Sequence, residues 1–190
     1  MLYLLGIDIG TTGSKALLID ESGAVVASAT TEYPMSTPHP LWAEQNPADW
    51  WAATIESIRR VLKTEGVRAS AITGVGLTGQ MHGLVLLDRR GEVLRPCIMW
   101  NDQRTAAECA AITEKVGAQR LLELTGNPVL PGFTAPKIEW VKNNEPQVYA
   151  QIAHTLLPKD YIRYRLTGAF ASEVSDASGT SLFDVGGRRW

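Results

Sequence analysis

Leu2-Tyr3-Leu4-Leu5-Gly6-Ile7-Asp8-Ile9-Gly10-Thr11-Thr12-Gly13-Ser14-Lys15 governs how the rest of the chain is read. Leu2–Ile9 is a nearly continuous apolar run, the pattern of a strand buried on both faces. Gly10 and Gly13 let the backbone turn tightly and present successive N–H groups as an anion nest. Thr11 and Thr12 add neutral hydroxyl donors, and Lys15 adds a positive charge that can approach a phosphate. Asp8, at the strand end, supplies the carboxylate that a hydrated Mg²⁺ requires. No G-x-x-x-x-G-K-[ST] Walker loop occurs anywhere in the chain. The plainer reading is a hairpin turn whose threonines satisfy local backbone groups. It leaves Asp8 unexplained, because a strand-end carboxylate must find partners or stay wet.

Working outward, Lys15–Ile19 and Ala24–Thr31 read as two further strands about the turn Asp20-Glu21-Ser22-Gly23, completing an antiparallel meander. A proline-rich loop, Pro34–Gln45, follows. Asn46-Pro47-Ala48-Asp49 is a helix start, with Asn46 as cap, Pro47 at the first helical position and Asp49 in the first turn. The helix is expected to run to about Glu65, before Gly66. Trp51, Ile55, Ile58 and Leu62 recur at three- or four-residue steps and predict its packing face. Ile72–Leu77, Leu84–Leu87 and Cys97–Trp100 read as strands. Arg104–Val116, Leu121–Leu124, Thr134–Asn143 (capped by Thr134) and Lys159–Leu166 read as helical. The tail Gly168–Trp190 carries strand-like pieces around Phe170 and Leu182. Strands first, then alternating helices and strands, describe a mixed α/β layer with helices on the sheet faces.

The chain has 190 residues and a net charge of -2, enough for one domain with a proper core and without a basic footprint for nucleic acid or an anionic membrane. Cys97 and Cys109 are too few for a disulfide framework, so a reducing, cytoplasmic setting is expected. The run before Asp8 lacks a basic n-region and is too short for a leader, and no stretch approaches the ~20 apolar residues of a membrane span. His39, His82 and His154 are too widely spaced for a metal-ligand pattern. Trp50, Trp51 and Trp140 read as core or interface, and Lys137 as structural.

D-I-G-T-T-G-S-K, over Asp8–Lys15, resembles the phosphate-binding hairpin of the FGGY carbohydrate kinases. Further motifs fall in that family's order. Gly79-Gln80-Met81-His82-Gly83 is similar to its substrate loop, and in Met-His to the members that act on xylulose, where glycerol-type members carry Arg-Glu. Trp100-Asn101-Asp102-Gln103-Arg104 resembles the W-x-D-x-R segment, and Gly132–Asn144 the family's first signature. Leu157–Tyr161 and Ser175–Thr180 also read like its members. The resemblance covers essentially the whole chain.

The resemblance implies a ribonuclease-H-like domain of the actin, Hsp70 and sugar-kinase superfamily over residues 1–190, with a C-terminal ATP-binding domain outside this chain. It implies ATP and Mg²⁺ as cofactors and phosphorylation of D-xylulose at O5 by the parent enzyme. Ribulose, fuculose, gluconate or glycerol is the alternative acceptor, and a non-catalytic sugar-binding module the alternative role. A homodimer is compatible with it. Gly10, Thr11, Thr12, Gly13 and Lys15 would bind phosphate, and Asp8 would orient the metal through water. Met81, His82, Trp100, Asn101 and Asp102 would bind the sugar. Imidazole can donate at one nitrogen and accept at the other, as a hydroxyl partner should. Asp102 before a helix reads equally well as a cap. The catalytic aspartate is expected beyond residue 190, so the isolated chain is expected to be inactive.

Overall fold

A computed structural model describes all 190 residues. The meander is present: β1 (Tyr3–Ile9), β2 (Gly13–Asp20) and β3 (Val25–Glu32) pair antiparallel in sequence order. A two-residue strand, β4 (Glu44–Gln45), lies within the proline-rich loop, and α1 (Pro47–Leu62) follows it. The chain then returns as β5 (Ile72–Gly79), parallel to β1, to give the order β3-β2-β1-β5. Two small ladders flank this sheet. β6 (Val85–Leu87) pairs with β8 (His154–Leu156), and β4 pairs with β7 (Cys97–Ile98). The remaining helices are α2 (Ala106–Val116), α3 (Ala118–Thr125), α4 (Thr134–Asn144), α5 (Pro146–Tyr149), α6 (Pro158–Thr167) and α7 (Val174–Ala177). This is the expected mixed α/β layer. No helix is long and apolar enough to cross a membrane.

The apolar first strand is not buried on both faces. Tyr3, Leu5, Ile7 and Ile9 enter the core with Ala16, Leu18, Trp50 and Ile162, whereas Leu4 and Asp8 are exposed. Both α1 and α6 pack on one side of the sheet, so the other side is open along Leu4, Gly6 and Asp8.

The packing face of α1 also differs from the expected one. Asn46 caps the helix as read, its Oδ1 accepting from the Ala48 amide. Yet the buried stripe is Trp50, Ala53, Thr54, Ser57 and Val61, while Trp51, Ile55, Ile58 and Leu62 sit half-buried on its shoulders. Small polar residues win because they bond to the sheet: Ser14 Oγ lies 2.9 Å from Thr54 Oγ1, and Ser57 Oγ donates to the Ser14 carbonyl at 2.9 Å. That contact draws the helix close to β2, and a large side chain there would hold it off.

Two other expectations are corrected. Phe133, not Thr134, occupies the cap position of α4, because the Thr134 hydroxyl is committed to the His82 carbonyl. The tail holds no strand. Its central part forms α7 and a 3₁₀ turn, Ser178–Thr180, with Glu173 Oε1 and Oε2 accepting from the Asp176 and Ser175 amides. Phe170 instead stacks between His154 and Tyr164, at centroid distances of 3.9 and 4.4 Å.

Candidate functional site

β1 and β5 run parallel, so their carboxyl ends lie side by side, Ile9 opposite Gly79. Ligand sites of open α/β sheets form in such places, where loops leave adjacent strand ends. The Gly10–Gly13 hairpin leaves one end and the Gln80–Gly83 loop the other. The Gln80 amide donates to the Ile9 carbonyl at 2.7 Å and starts the second loop against the first.

The hairpin is built differently from the expected nest. Neither Gly10 nor Gly13 has a positive φ. They are glycines because of close approach: a Cβ on Gly13 would lie 2.9 Å from the Thr31 carbonyl oxygen, and one on Gly10 3.1 Å from that of Gly13. The Gly10 amide is already spent on the Gly13 carbonyl, leaving Thr11 and Thr12 to offer backbone donors at the tip. Asp8 and Lys15 face each other across the ladder and line one depression with Gly6, Gly76 and Thr78 on the open side of the sheet. A phosphate therefore has two amides, the Thr12 hydroxyl and an ammonium within this region. No group of three or more His, Cys, Asp or Glu side chains gathers anywhere to hold an ion. The single exposed Asp8 suits Mg²⁺, which keeps most of its waters and takes its other ligands from substrate phosphates.

Two residues without a recognisable local signature hold the hairpin. Tyr33 donates its hydroxyl to the Gly10 carbonyl, and burial, then the Asp8 charge, push its pKa up. Gln45 Nε2 donates to the Thr11 carbonyl at 2.8 Å. Its Oε1 accepts from Trp50 Nε1 at 2.9 Å and from Gln80 Nε2 at 3.2 Å. Gln45 thus ties the hairpin to α1 and to the second loop. Nothing in the sequence around it signals this, since Thr11 and Gln80 are both more than thirty residues away.

Trp100 joins the hairpin directly: its Nε1 donates to Thr11 Oγ1 at 3.1 Å, and the side chain stays 43% exposed. A Cβ on Gly132 would fall 2.6 Å from the Trp100 carbonyl oxygen, so only glycine lets the loop before α4 pass here. Met81 is 54% exposed beside His82, an apolar surface open to a ligand.

His82 is the most constrained residue of the set. Its φ is +61°, in the left-handed region that costs a non-glycine residue ~1 kcal/mol or more. Its carbonyl accepts from Lys137 Nζ at 2.8 Å and from Thr134 Oγ1 at 3.3 Å, which fixes that conformation. The ring lies 4.6 Å from Phe133, and its buried Nδ1 has no partner. Burial, then the Lys137 charge, hold its pKa below the ordinary value, favouring the neutral imidazole that can both donate and accept.

Lys137 has no carboxylate partner. Its ammonium is buried between the His82 and Gly132 carbonyls, and burial lowers its pKa to about 8. A lysine so depressed costs stability in full below pH 8, and the cost fades as pH rises toward the ordinary lysine pKa of ~10.4, where the unfolded chain also loses its proton. The stability difference between the chain and Lys137→Met should therefore shift in favour of lysine between pH 8 and 10, by at most ~1.4 kcal/mol per pH unit. Denaturant midpoints at matched pH measure it, and a flat difference would refute the depressed pKa.

Two expected sugar residues stand apart. Asp102 is fully buried; its carboxylate takes Arg104 through Nε and Nη2 at 2.9 and 2.7 Å and accepts from the Ala43 and Arg104 amides. With its lone pairs committed to these groups, it is a structural anchor, and the cap position of α2 belongs to Thr105. Asn101 turns toward Met35 and a depression shared with His39, Leu41 and Gln103, away from the Met81-His82 loop, though its buried Oδ1 has no partner. Cys97 and Cys109 are buried and unpaired, and burial pushes the Cys97 thiol up to about 12, so neither is a nucleophile.

The fold agrees with comparison to known proteins. Residues 3–190 match the family model described as the FGGY family of carbohydrate kinases, N-terminal domain. The chain is 50% identical to a xylulose kinase of Klebsiella pneumoniae over 98% of its own length and 38% of that protein. Among solved structures it resembles a "xyloylose kinase" from Brucella ovis, with a TM-score of 0.93 and 50% identity, and a xylulose kinase from Rhodospirillum rubrum, with a TM-score of 0.92 and 35% identity. It covers 98% and 97% of itself in these two and 38% of each of the other chains. The fold is thus that of the sugar kinases, within the actin and Hsp70-like superfamily. With its family model matched over residues 3–190, nearly end to end, the chain belongs to the FGGY family of carbohydrate kinases.

Proposed function

We propose that the protein carrying this chain transfers the γ-phosphoryl group of ATP to O5 of D-xylulose, and that residues 1–190 supply the sugar-binding half and the phosphate hairpin. The observation that carries this reading is the link between the two loops, from the Gln80 amide to the Ile9 carbonyl and from Thr11 through Gln45 to Gln80, with Trp100 bonded to the same hairpin at Thr11. Phosphoryl transfer is mostly a matter of holding the donor phosphate and acceptor hydroxyl in line, and these bonds fix one loop relative to the other. The relatives named xylulose kinase support the choice of sugar.

The Thr11 and Thr12 amides and Lys15 take the nucleotide's phosphates, and Asp8 accepts hydrogen bonds from water on the metal. Mg²⁺, when bound, neutralises charge on the phosphates. Met81 and the exposed Trp100 face pack on the sugar's carbon side, and neutral His82 bonds a hydroxyl. Asp102 acts only through Arg104. The carboxylate base and the adenine site come from polypeptide outside residues 1–190, in a second domain of a cytoplasmic enzyme.

ADP release by the full gene product with ATP and Mg²⁺ tests this. D-Xylulose should give the highest kcat/KM of a panel with ribulose, fuculose, gluconate and glycerol. Residues 1–190 alone should release no sugar-dependent ADP. Faster turnover of glycerol or gluconate would overturn the sugar assignment, and activity of the isolated chain would overturn the division of labour.

A further inference from the structure

The His82 ring has a second neighbour, and it comes from the far end of the chain. A Cβ placed on Gly179 would fall 2.3 Å from His82 Cε1 and 2.8 Å from Nδ1, so the imidazole rests against bare backbone. No side chain fits between them. Gly179 has no positive φ, so this close approach, and not conformational freedom, is what demands glycine.

Gly179 is itself held firmly. It lies in the 3₁₀ turn after α7, and Lys159 at the start of α6 ties that segment down. Lys159 Nζ reaches Asp160 at 2.8 Å, Asp176 at 2.9 Å and Glu173 at 3.4 Å. Burial opposes the Lys159 charge, but Asp160 and Asp176 outweigh it and raise its pKa. Lys159 Cβ in turn lies 3.4 Å from where a Cβ on Gly79 would stand, at the end of β5. One anchored unit therefore connects the strand end, the 3₁₀ turn and the histidine ring.

We infer that Gly179 is a positioning residue for sugar recognition: with Phe133 it holds the His82 imidazole in the single orientation that meets the acceptor hydroxyl. The inference rests on the sugar-site reading given above. Gly179 touches no substrate and works entirely through His82, whose backbone Lys137 and Thr134 fix independently. A methyl group at residue 179 displaces the ring and leaves the rest of the loop in place.

A double-mutant cycle in the full gene product, with D-xylulose and ATP varied in turn, tests this. His82→Ala should raise the xylulose KM about tenfold, the worth of one hydrogen bond between neutral groups. Gly179→Ala should raise it about as much and leave the ATP KM within about twofold. In the His82→Ala background, Gly179→Ala should add nothing, because the space it invades is then empty. An equal loss from Gly179→Ala in both backgrounds, or an equal rise in both KM values, would overturn the inference in favour of a general structural role. No change from Gly179→Ala in the wild-type background would also overturn it. A His82→Ala variant with unchanged xylulose KM would instead sink the underlying sugar-site reading. If Gly179→Ala alone is insoluble, the His82→Ala/Gly179→Ala protein should recover solubility and the constants of His82→Ala; failure of that recovery counts against the inference.

Discussion

Arg104→Ala should destabilise the chain by about 3–5 kcal/mol, the range for removing one partner of a buried ion pair. The Arg104 side chain is 1% exposed. It binds Asp102 in fork geometry, reaches Glu44 through Nη1 at 2.8 Å, and lies 3.7 Å over the Trp42 ring and 4.8 Å from that of Trp140. Asp102 has no exposure at all. Without the guanidinium its carboxylate keeps two backbone donors and loses its counter-charge, while Glu44 keeps only Arg95. Lysine cannot substitute, since an ammonium offers neither the planar fork nor the flat face that two indoles enclose. Arg104→Lys should recover less than half of the loss. Denaturant unfolding measures both, with the midpoint interpreted only where the slope is unchanged. A loss below ~1 kcal/mol would place this network with ordinary surface pairs such as Arg120–Glu123, for which truncation is nearly neutral.

The same network marks where local reading of the chain stops. The meander, the capped start of α1 and the glycine-punctuated hairpin are legible because each is set by neighbours in sequence: alternation, turn residues, Asn46 before Pro47. Asp102 is ambiguous in sequence because a cap and a hydroxyl ligand use the same residue before a helix. Neither describes its role: the distant Ala43 amide and the folded-back Arg104 take its lone pairs, and Thr105 occupies the cap position. The face of α1 is misread for a related reason. Amphipathic periodicity weights large apolar residues, but the bonds from Thr54 and Ser57 to Ser14 decide which side meets the sheet. Gln45 and Tyr33 carry no motif, and their roles exist only once β4 and the end of β3 lie beside the hairpin. The tail is misread as strands because its order depends on Lys159 drawing Glu173 and Asp176 inward. Long-range polar contacts, more than hydrophobic burial, separate the legible part of this fold from the rest.

Asp8→Asn should lower kcat of the full gene product with D-xylulose and ATP by about 10- to 100-fold, the usual cost of losing an outer-shell partner of a metal. The substitution keeps the shape of the side chain and removes only its charge. Asp8 is exposed at the end of β1, opposite Lys15 and beside Thr78, and it forms no ion pair with Lys15. Its carboxylate therefore adds little to folding, and the variant's stability should stay within about 0.5 kcal/mol of the parent, as for other surface changes. The defect should appear in the dependence on Mg²⁺: the concentration giving half-maximal rate should rise, while the KM for xylulose, set around Met81 and His82, should move less than about twofold. This pairing of a stable fold with a metal-dependent defect separates a working carboxylate from a merely wet strand end, because a solvated turn would leave both the rate and the Mg²⁺ requirement unchanged. A large fall in stability would point elsewhere, to Asp8 acting through Tyr33, whose raised pKa already registers the Asp8 charge and whose hydroxyl holds Gly10. Unchanged kcat with unchanged Mg²⁺ dependence would remove Asp8 from the proposed mechanism and leave Lys15, the Thr12 hydroxyl and the Thr11 and Thr12 amides as the phosphate-directed groups of the hairpin.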